Sequence, residues 1–242
     1  MYQAVIFDLD GTLLDTIEDL ADAGNHVLSV LGFAPHTVDE FKEMVGNGVP
    51  VLVERMLPQT ARGGATQQMA LQMFLNYYGV HSADKTAPFP DILPMLTTLR
   101  KAGLRLGVVS NKEDTLTQSV IEHYFPSTFD AVCGHRIGTP AKPDPTLLLG
   151  ICAAMGIEKD AVLYVGDSEV DIQTARNARI MSCGVLWGYR TEQALREAGA
   201  AMLVRRPRAL CEHALAYESQ RLLKREKTKT ARPQGKTGTR RL

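Results

Sequence analysis

The sequence lacks the features that mark several large protein classes. No apolar run approaches the ~20 residues that a membrane-spanning helix needs, so contact with a membrane is not expected. Cysteine is sparse: Cys133, Cys152, Cys183 and Cys211 are scattered and show no C-x-x-C spacing. That pattern argues against a zinc site and a disulfide framework, and for free, buried thiols. The histidines show neither metal-ligand spacing nor a catalytic triad pattern. Internal repeats of solenoid length are missing. No leader-like segment precedes the first apolar stretch, and cleavage within the first 15–30 residues would remove the acids discussed next. A cytoplasmic protein is expected. Net charge is also lacking, but unevenly. From Glu218 onward there are nine Lys/Arg and two Asp/Glu, whereas the rest of the chain holds eighteen and twenty-five.

What is present begins at Ala4-Val5-Ile6-Phe7, an apolar run too short for a stable helix and bounded by acids and a glycine. A buried parallel strand is the expected form. Asp8 and Asp10 follow, two residues apart. In extended chain that spacing points both carboxylates to one side, just past a strand end, where open α/β sheets bind ligands. Gly11 permits a sharp turn and Thr12 adds a hydroxyl. Like charges this close need a proton or a cation between them. Two roles remain open for the pair: capping the next helix, or holding Mg²⁺, a hard ion that prefers oxygen ligands.

The following stretch reads as helices only: Asp15 to Leu31 (capped by Thr16 or Asp15), Thr37 to Val45, Pro50 to Leu57, and Thr66 to Tyr78 with Met69, Met73 and Phe74 on one side. No strand is expected between Asp15 and Ala87. Strands are then expected at Leu104–Val109, Ala131–Cys133, Ala161–Val165, Cys183–Leu186 and Ala201–Val204, alternating with helices. That alternation predicts an α/β fold: a Rossmann-like parallel sheet core with helices on both faces and an inserted all-helical cap. The division expected is core at 1–14 and 88–217, cap at 15–87, and a basic, disordered tail at 218–242, preceded by a helix from Ala209 to Leu223.

Other polar groups fall at strand ends or in stiff loops. Ser110, followed by Asn111 and Lys112, ends one strand and offers a hydroxyl and backbone N–H groups to a phosphate, or simply caps a helix. Lys142 lies in Gly138-Thr139-Pro140-Ala141-Lys142-Pro143-Asp144-Pro145, whose prolines restrict its presentation. An ammonium held beside the acids would offset the charge of a bound phosphate. Asp167 in Gly166-Asp167-Ser168 falls at another strand end and can join Asp8 and Asp10 on one ion. Asp171 follows four residues later, at helical spacing. Asp171 and Ser168 would stand behind the ligands and orient the metal's waters or Lys142, unless Asp171 merely faces solvent.

These stretches, in this order, resemble the motifs of the haloacid dehalogenase-like superfamily of phosphohydrolases. The resemblance implies that Asp8 attacks phosphorus and that Asp10 is the general acid and base, touching the metal through its backbone carbonyl. It further implies that Asp8, Asp10 and Asp167 bind Mg²⁺ and that Ser110 and Lys142 hold the phosphoryl oxygens. An acid at Asp10 is what phosphate-ester hydrolysis or mutase chemistry requires, and Thr12 leans towards hydrolysis. Val45-Gly46-Asn47-Gly48-Val49-Pro50, Arg55 and Cys183-Gly184-Val185-Leu186-Trp187-Gly188-Tyr189-Arg190 are similar to the phosphoglycolate phosphatase family. The implied substrate is 2-phosphoglycolate, a small phosphomonoester, with Thr12, Asn111, Gly46, Asn47 and Arg55 also contacting it. His26 either lines the cleft or packs away from it. The alternatives are a β-phosphoglucomutase-like or pyrophosphatase relative, or a non-catalytic binding protein on the same scaffold. Nucleic-acid binding through the basic tail is not expected, and the chain is a monomer or homodimer. Arg179, where relatives carry Gly, is expected to adopt left-handed geometry at some cost.

Overall fold

The computed structural model describes residues 2–216. The expected tail at 218–242 lies outside the described residues, as does the end of the helix expected from Ala209; residues 207–216 are helical. The strands are β1 (Ala4–Phe7), β2 (Leu14–Asp15), β3 (Ala87–Pro88), β4 (Arg105–Glu113), β5 (Ala131–His135), β6 (Val162–Gly166), β7 (Met181–Val185) and β8 (Met202–Val204). The helices are α1 (Ile17–Val30), α2 (Val38–Met44), α3 (Val49–Met56), α4 (Ala65–His81), α5 (Ile92–Lys101), α6 (Asp114–Tyr124), α7 (Thr146–Ala154), α8 (Glu169–Ala178) and α9 (Glu192–Glu197).

Six strands form one sheet in the order β5-β4-β1-β6-β7-β8, and every neighbouring pair is parallel. This is the α/β, Rossmann-like core. Alternation along β1 separates the two faces. Val5 and Phe7 join the α5 and α6 side chains on one face. Ala4 and Ile6 join those of α7 and α8 on the other. The chain runs outward from β1 in both directions, through β4 on one side and β6 on the other. The crevice where that direction reverses therefore opens beyond the carboxyl ends of these three strands.

Helices α1 to α4 make a separate apolar cluster, with Leu28, Phe41, Val53 and Phe74 inside it. Here α1 and α2 approach closely, because a Cβ on Gly24 would stand 2.4 Å from the Phe41 ring. The face that α4 buries is Ala70, Phe74 and Tyr78. Met69 is instead half exposed, a correction to the expected stripe; spacing of four residues, not apolarity alone, selects the inward positions. The insert leaves and rejoins the core through an antiparallel ribbon, Leu14 opposite Pro88 and Asp15 opposite Ala87. Asp15 was expected to open the first helix. Thr16 occupies the cap position without capping, since its N–H and hydroxyl both meet the Tyr189 hydroxyl, at 2.8 and 3.2 Å. Asp19 fastens the ribbon's base by accepting from the N–H groups of Lys85 and Thr86.

Strand β4 is longer than its apolar run. Pairing with β5 shifts register after Val109 and resumes at Glu113 opposite His135, so Ser110, Asn111 and Lys112 lie within the strand instead of beyond it. Among the described residues no helix is long and apolar enough to cross a membrane.

Candidate active site

Asp8 leaves β1 with its N–H donated to the Val165 carbonyl at 2.8 Å, so its position is set by the sheet. Asp167 follows β6 directly. Its Oδ2 accepts from the Tyr189 N–H at 2.8 Å and its Oδ1 from the Thr12 hydroxyl at 3.2 Å. Gly11 makes that approach possible: φ is +84° there, and a Cβ would stand 2.4 Å from the Asp167 carboxylate. Ser168, not Asp167, caps α8, in a reciprocal box with Asp171. Asp171 thus reaches the site from the first turn of α8, and the Gly166 backbone lies against its side chain.

Lys142 joins these groups. Its ammonium lies 2.7 Å from Asp8 Oδ1 and 2.8 Å from Asp171 Oδ1, and it also donates to the Tyr164 hydroxyl at 3.2 Å. Only 3% of the residue is exposed. The other Asp171 oxygen accepts from the Ser168 N–H and hydroxyl, so both oxygens are engaged and the carboxylate serves to place Lys142. Carboxylate oxygens of Asp8, Asp167 and Asp171 lie within 4.8 Å of one another, all buried. One ammonium opposes three carboxylates. Burial first, then the neighbouring Asp171, pushes Asp8 well above the usual carboxylate range, against the opposing pull of Lys142. Burial and Asp171 likewise push Asp167 up to about 7, against the N–H of Tyr189. Burial works against the charge on Lys142, yet Asp171 and Asp8 hold its ammonium well above the ordinary lysine range. The donor set is hard oxygen carrying excess negative charge, which fits a divalent cation such as Mg²⁺.

The Asp10 side chain stands apart from this cluster. Its two carboxylate oxygens accept from Lys112 Nζ at 2.8 and 2.9 Å. Ser110 lines the cleft, and its hydroxyl accepts from the Lys112 N–H at 3.1 Å. Asn111 also lines the cleft, but its amide is committed to the backbone. It accepts from the Lys142 N–H at 2.8 Å and donates to the Gly46 carbonyl at 3.0 Å. This ties the Lys142 loop to the insert.

On the insert side the cleft is lined by Leu20, Val45, Val49 and Leu52, with Gly46 and Gly48. Asn47 and Arg55 do not line it, contrary to expectation. Arg55 donates to the Met44 carbonyl at 2.8 Å and to the Asn47 amide oxygen at 2.9 Å, so the pair braces the glycine loop. Thr12 is equally occupied by Asp167. His26 stacks on Tyr77 with ring centroids 4.3 Å apart, away from the cleft. Besides the apolar residues, three polar lining residues received no role from the sequence: Lys112, Tyr189 and Arg190. All lie inside stretches that the motifs flagged. Arg190 donates to the Val45 carbonyl at 2.8 Å and to the Lys42 carbonyl, and pairs with Glu169 at 3.0 Å.

The haloacid dehalogenase-like hydrolase family matches residues 5–185. The phosphoglycolate phosphatase of Psychrobacter arcticus is 34% identical over 202 residues, which are 81% of this chain and 88% of that protein. The phosphoglycolate phosphatase of Caulobacter vibrioides is 36% identical over 203 residues, 83% of this chain and 85% of that one. A crystal structure of a candidate phosphoglycolate phosphatase from Lactobacillus delbrueckii subsp. bulgaricus superposes with a TM-score of 0.85 at 35% identity. That superposition covers 88% of this chain and 98% of the other. A parallel sheet with an acid after its first strand, so matched, is a haloacid dehalogenase-like hydrolase, and the chain belongs to that family. Within it the chain groups with the phosphoglycolate phosphatases and is a phosphatase.

Proposed function

We propose that the enzyme hydrolyses small phosphomonoesters through an aspartyl-phosphate on Asp8, with Mg²⁺ as cofactor, and that 2-phosphoglycolate is its substrate. The observation that supports this most directly is Lys142, buried and touching Asp8 and Asp171 beside Asp167. Asp8 and Asp167 would hold the ion, with the Asp10 backbone carbonyl. When bound, it offsets charge on the phosphoryl oxygens.

Asp8 attacks phosphorus, and the ester oxygen leaves with a proton from Asp10. Ser110 donates to one phosphoryl oxygen, and Lys142 opposes the charge that builds on the others. Asp10 then takes a proton from water, which attacks the aspartyl-phosphate, frees phosphate and restores Asp8. The helical insert at 15–87 acts as a cap on the core at 1–14 and 88–217. Its glycine loop lets backbone approach a leaving group of few atoms closely, consistent with the named activity of the relatives. Four unpaired thiols suit a reducing compartment such as the cytoplasm.

The test is a panel of phosphomonoesters assayed with Mg²⁺. Phosphoglycolate should give the highest kcat/KM, and Asp8→Asn should lower turnover by about 10³-fold or more. A nucleotide or hexose phosphate as best substrate would overturn the substrate; full activity of Asp8→Asn would overturn the chemistry.

A further inference from the structure

Lys112 bridges the core and the insert at Asp10, an acid that lines the cleft outside the carboxylate cluster. Its ammonium has three protons to donate, and the structure places acceptors for all of them. Two are the oxygens of Asp10, at 2.8 and 2.9 Å. The third is the hydroxyl of Tyr78, at 3.1 Å. The Tyr78 ring also faces the ammonium, 5.0 Å from ring centroid to Nζ. Tyr78 belongs to α4 and to the apolar cluster of the insert, and it is 1% exposed. Lys112 itself is 6% exposed and is held by its backbone on both sides: its N–H donates to Ser110 and its carbonyl accepts from Thr117. A lysine tethered this way has little freedom to swing elsewhere.

We propose that Lys112 is a positioning residue. It holds the Asp10 carboxylate in the orientation that reaches the leaving oxygen, and Tyr78 makes that orientation depend on the docked insert. The inference rests on the role given to Asp10 in the proposed function. Its consequence is that proton delivery is assembled only when the helices above the cleft are seated. A carboxylate pinned by two charge-assisted bonds loses the rotamers in which it points away from the substrate.

The experiment uses the full chain with Mg²⁺ and two esters with poor leaving groups, 2-phosphoglycolate and ethyl phosphate, the second lacking a carboxylate. Lys112→Met should lower kcat by about 10²-fold on both, with KM within about threefold of wild type. Tyr78→Phe, which keeps the ring and removes only the hydroxyl, should lower kcat by about three- to tenfold with the same pattern. Combining Lys112→Met with Asp10→Asn should cost no more than Asp10→Asn alone, because the lysine acts through that acid. The burst of p-nitrophenolate from p-nitrophenyl phosphate, whose leaving group needs no proton, should keep its rate in Lys112→Met and show that the sites are folded.

A rise in KM for phosphoglycolate alone would overturn the inference and make Lys112 a carboxylate-docking group. Unchanged kcat in both single variants, or additive losses in the double variant, would also overturn it. If Lys112→Met shows no burst, Tyr78→Phe decides by the same kcat criterion. These outcomes leave the proposed function standing, provided wild type turns over phosphomonoesters and Asp8→Asn does not; failure of that control would sink both.

Discussion

On the sheet side of the cleft, Asp8 and Asp167 follow strands whose neighbours are hydrogen-bonded to them on either side. On the insert side, Leu20, Val45 and Leu52 arrive on helices and a glycine loop that meet the core through side chains: Asn111, Lys112, Tyr189 and Arg190 bond across the boundary, and Phe89 and Leu116 pack against the insert's apolar cluster. The sheet side concentrates charge and buries it; the insert side is apolar. A parallel sheet fixes the positions at its strand ends through backbone bonds, so the charged groups there are held against their mutual repulsion. Beyond the short ribbon at its base, the insert's placement rests on side-chain contacts across a boundary, and such contacts can be lost singly. The charged groups therefore sit on the wall fixed by backbone bonds, and the apolar lining on the wall held by side-chain contacts.

The largest test of that contrast removes the cation from the wall fixed by backbone bonds. Lys142→Met leaves Asp8 and Asp171 facing each other in a buried site, and breaking such a pair costs about 3–5 kcal/mol. Urea unfolding in EDTA should show that loss, and added Mg²⁺ should recover part of it.

The next effect is on pH. Folded Asp167 keeps its proton up to about 7, whereas an unfolded carboxyl releases it near about 4. Between those values the folded chain binds the extra proton. Its stabilising share is full below about pH 4 and is lost as pH rises through about 7. Without metal, wild type should lose more melting temperature between pH 5 and pH 8 than Asp167→Asn does. Saturating Mg²⁺ should raise the wild-type melting temperature more at pH 8 than at pH 5.

Arg190→Leu tests the wall held by side chains. It removes the guanidinium from the carbonyls at the end of α2, a loss of about 1–3 kcal/mol of insert–core contact. Hydrogen exchange should quicken in α2 and the glycine loop and stay unchanged in β1 and β6. Uniform quickening would mean that the two walls unfold together.

The smallest effect lies on the core's far edge. Arg179 ends α8 at φ 57° and ψ 45°, the left-handed geometry expected for it. Arg179→Gly should stabilise by about 1 kcal/mol, read as a rise in melting temperature with unchanged kcat.

Legibility followed the same division. The short apolar runs before Asp8 and Asp167 were readable because strand ends are local, and both acids do follow strands. Ser110 was expected at the end of its strand and lies inside it, since the pairing that lengthens β4 is made by β5 across a register shift that no local pattern records. Asn47 and Arg55 were expected in the cleft on their chemistry alone, but each is the other's partner. Lys112 went unassigned because nothing near it in sequence shows that Tyr78 and Asp10 would meet it.

The order of apolar runs, turn residues and acids was enough, by itself, for the parallel sheet, the helical insert and the acids at the strand ends, because each depends on spacing along a few residues. Only the tertiary structure decided which cation faces which acid. Lys142 meets Asp8 and Asp171, and Lys112 meets Asp10, through contacts spanning many residues of chain. Those pairings are set by how the sheet and the insert pack, and packing is a property of the whole chain.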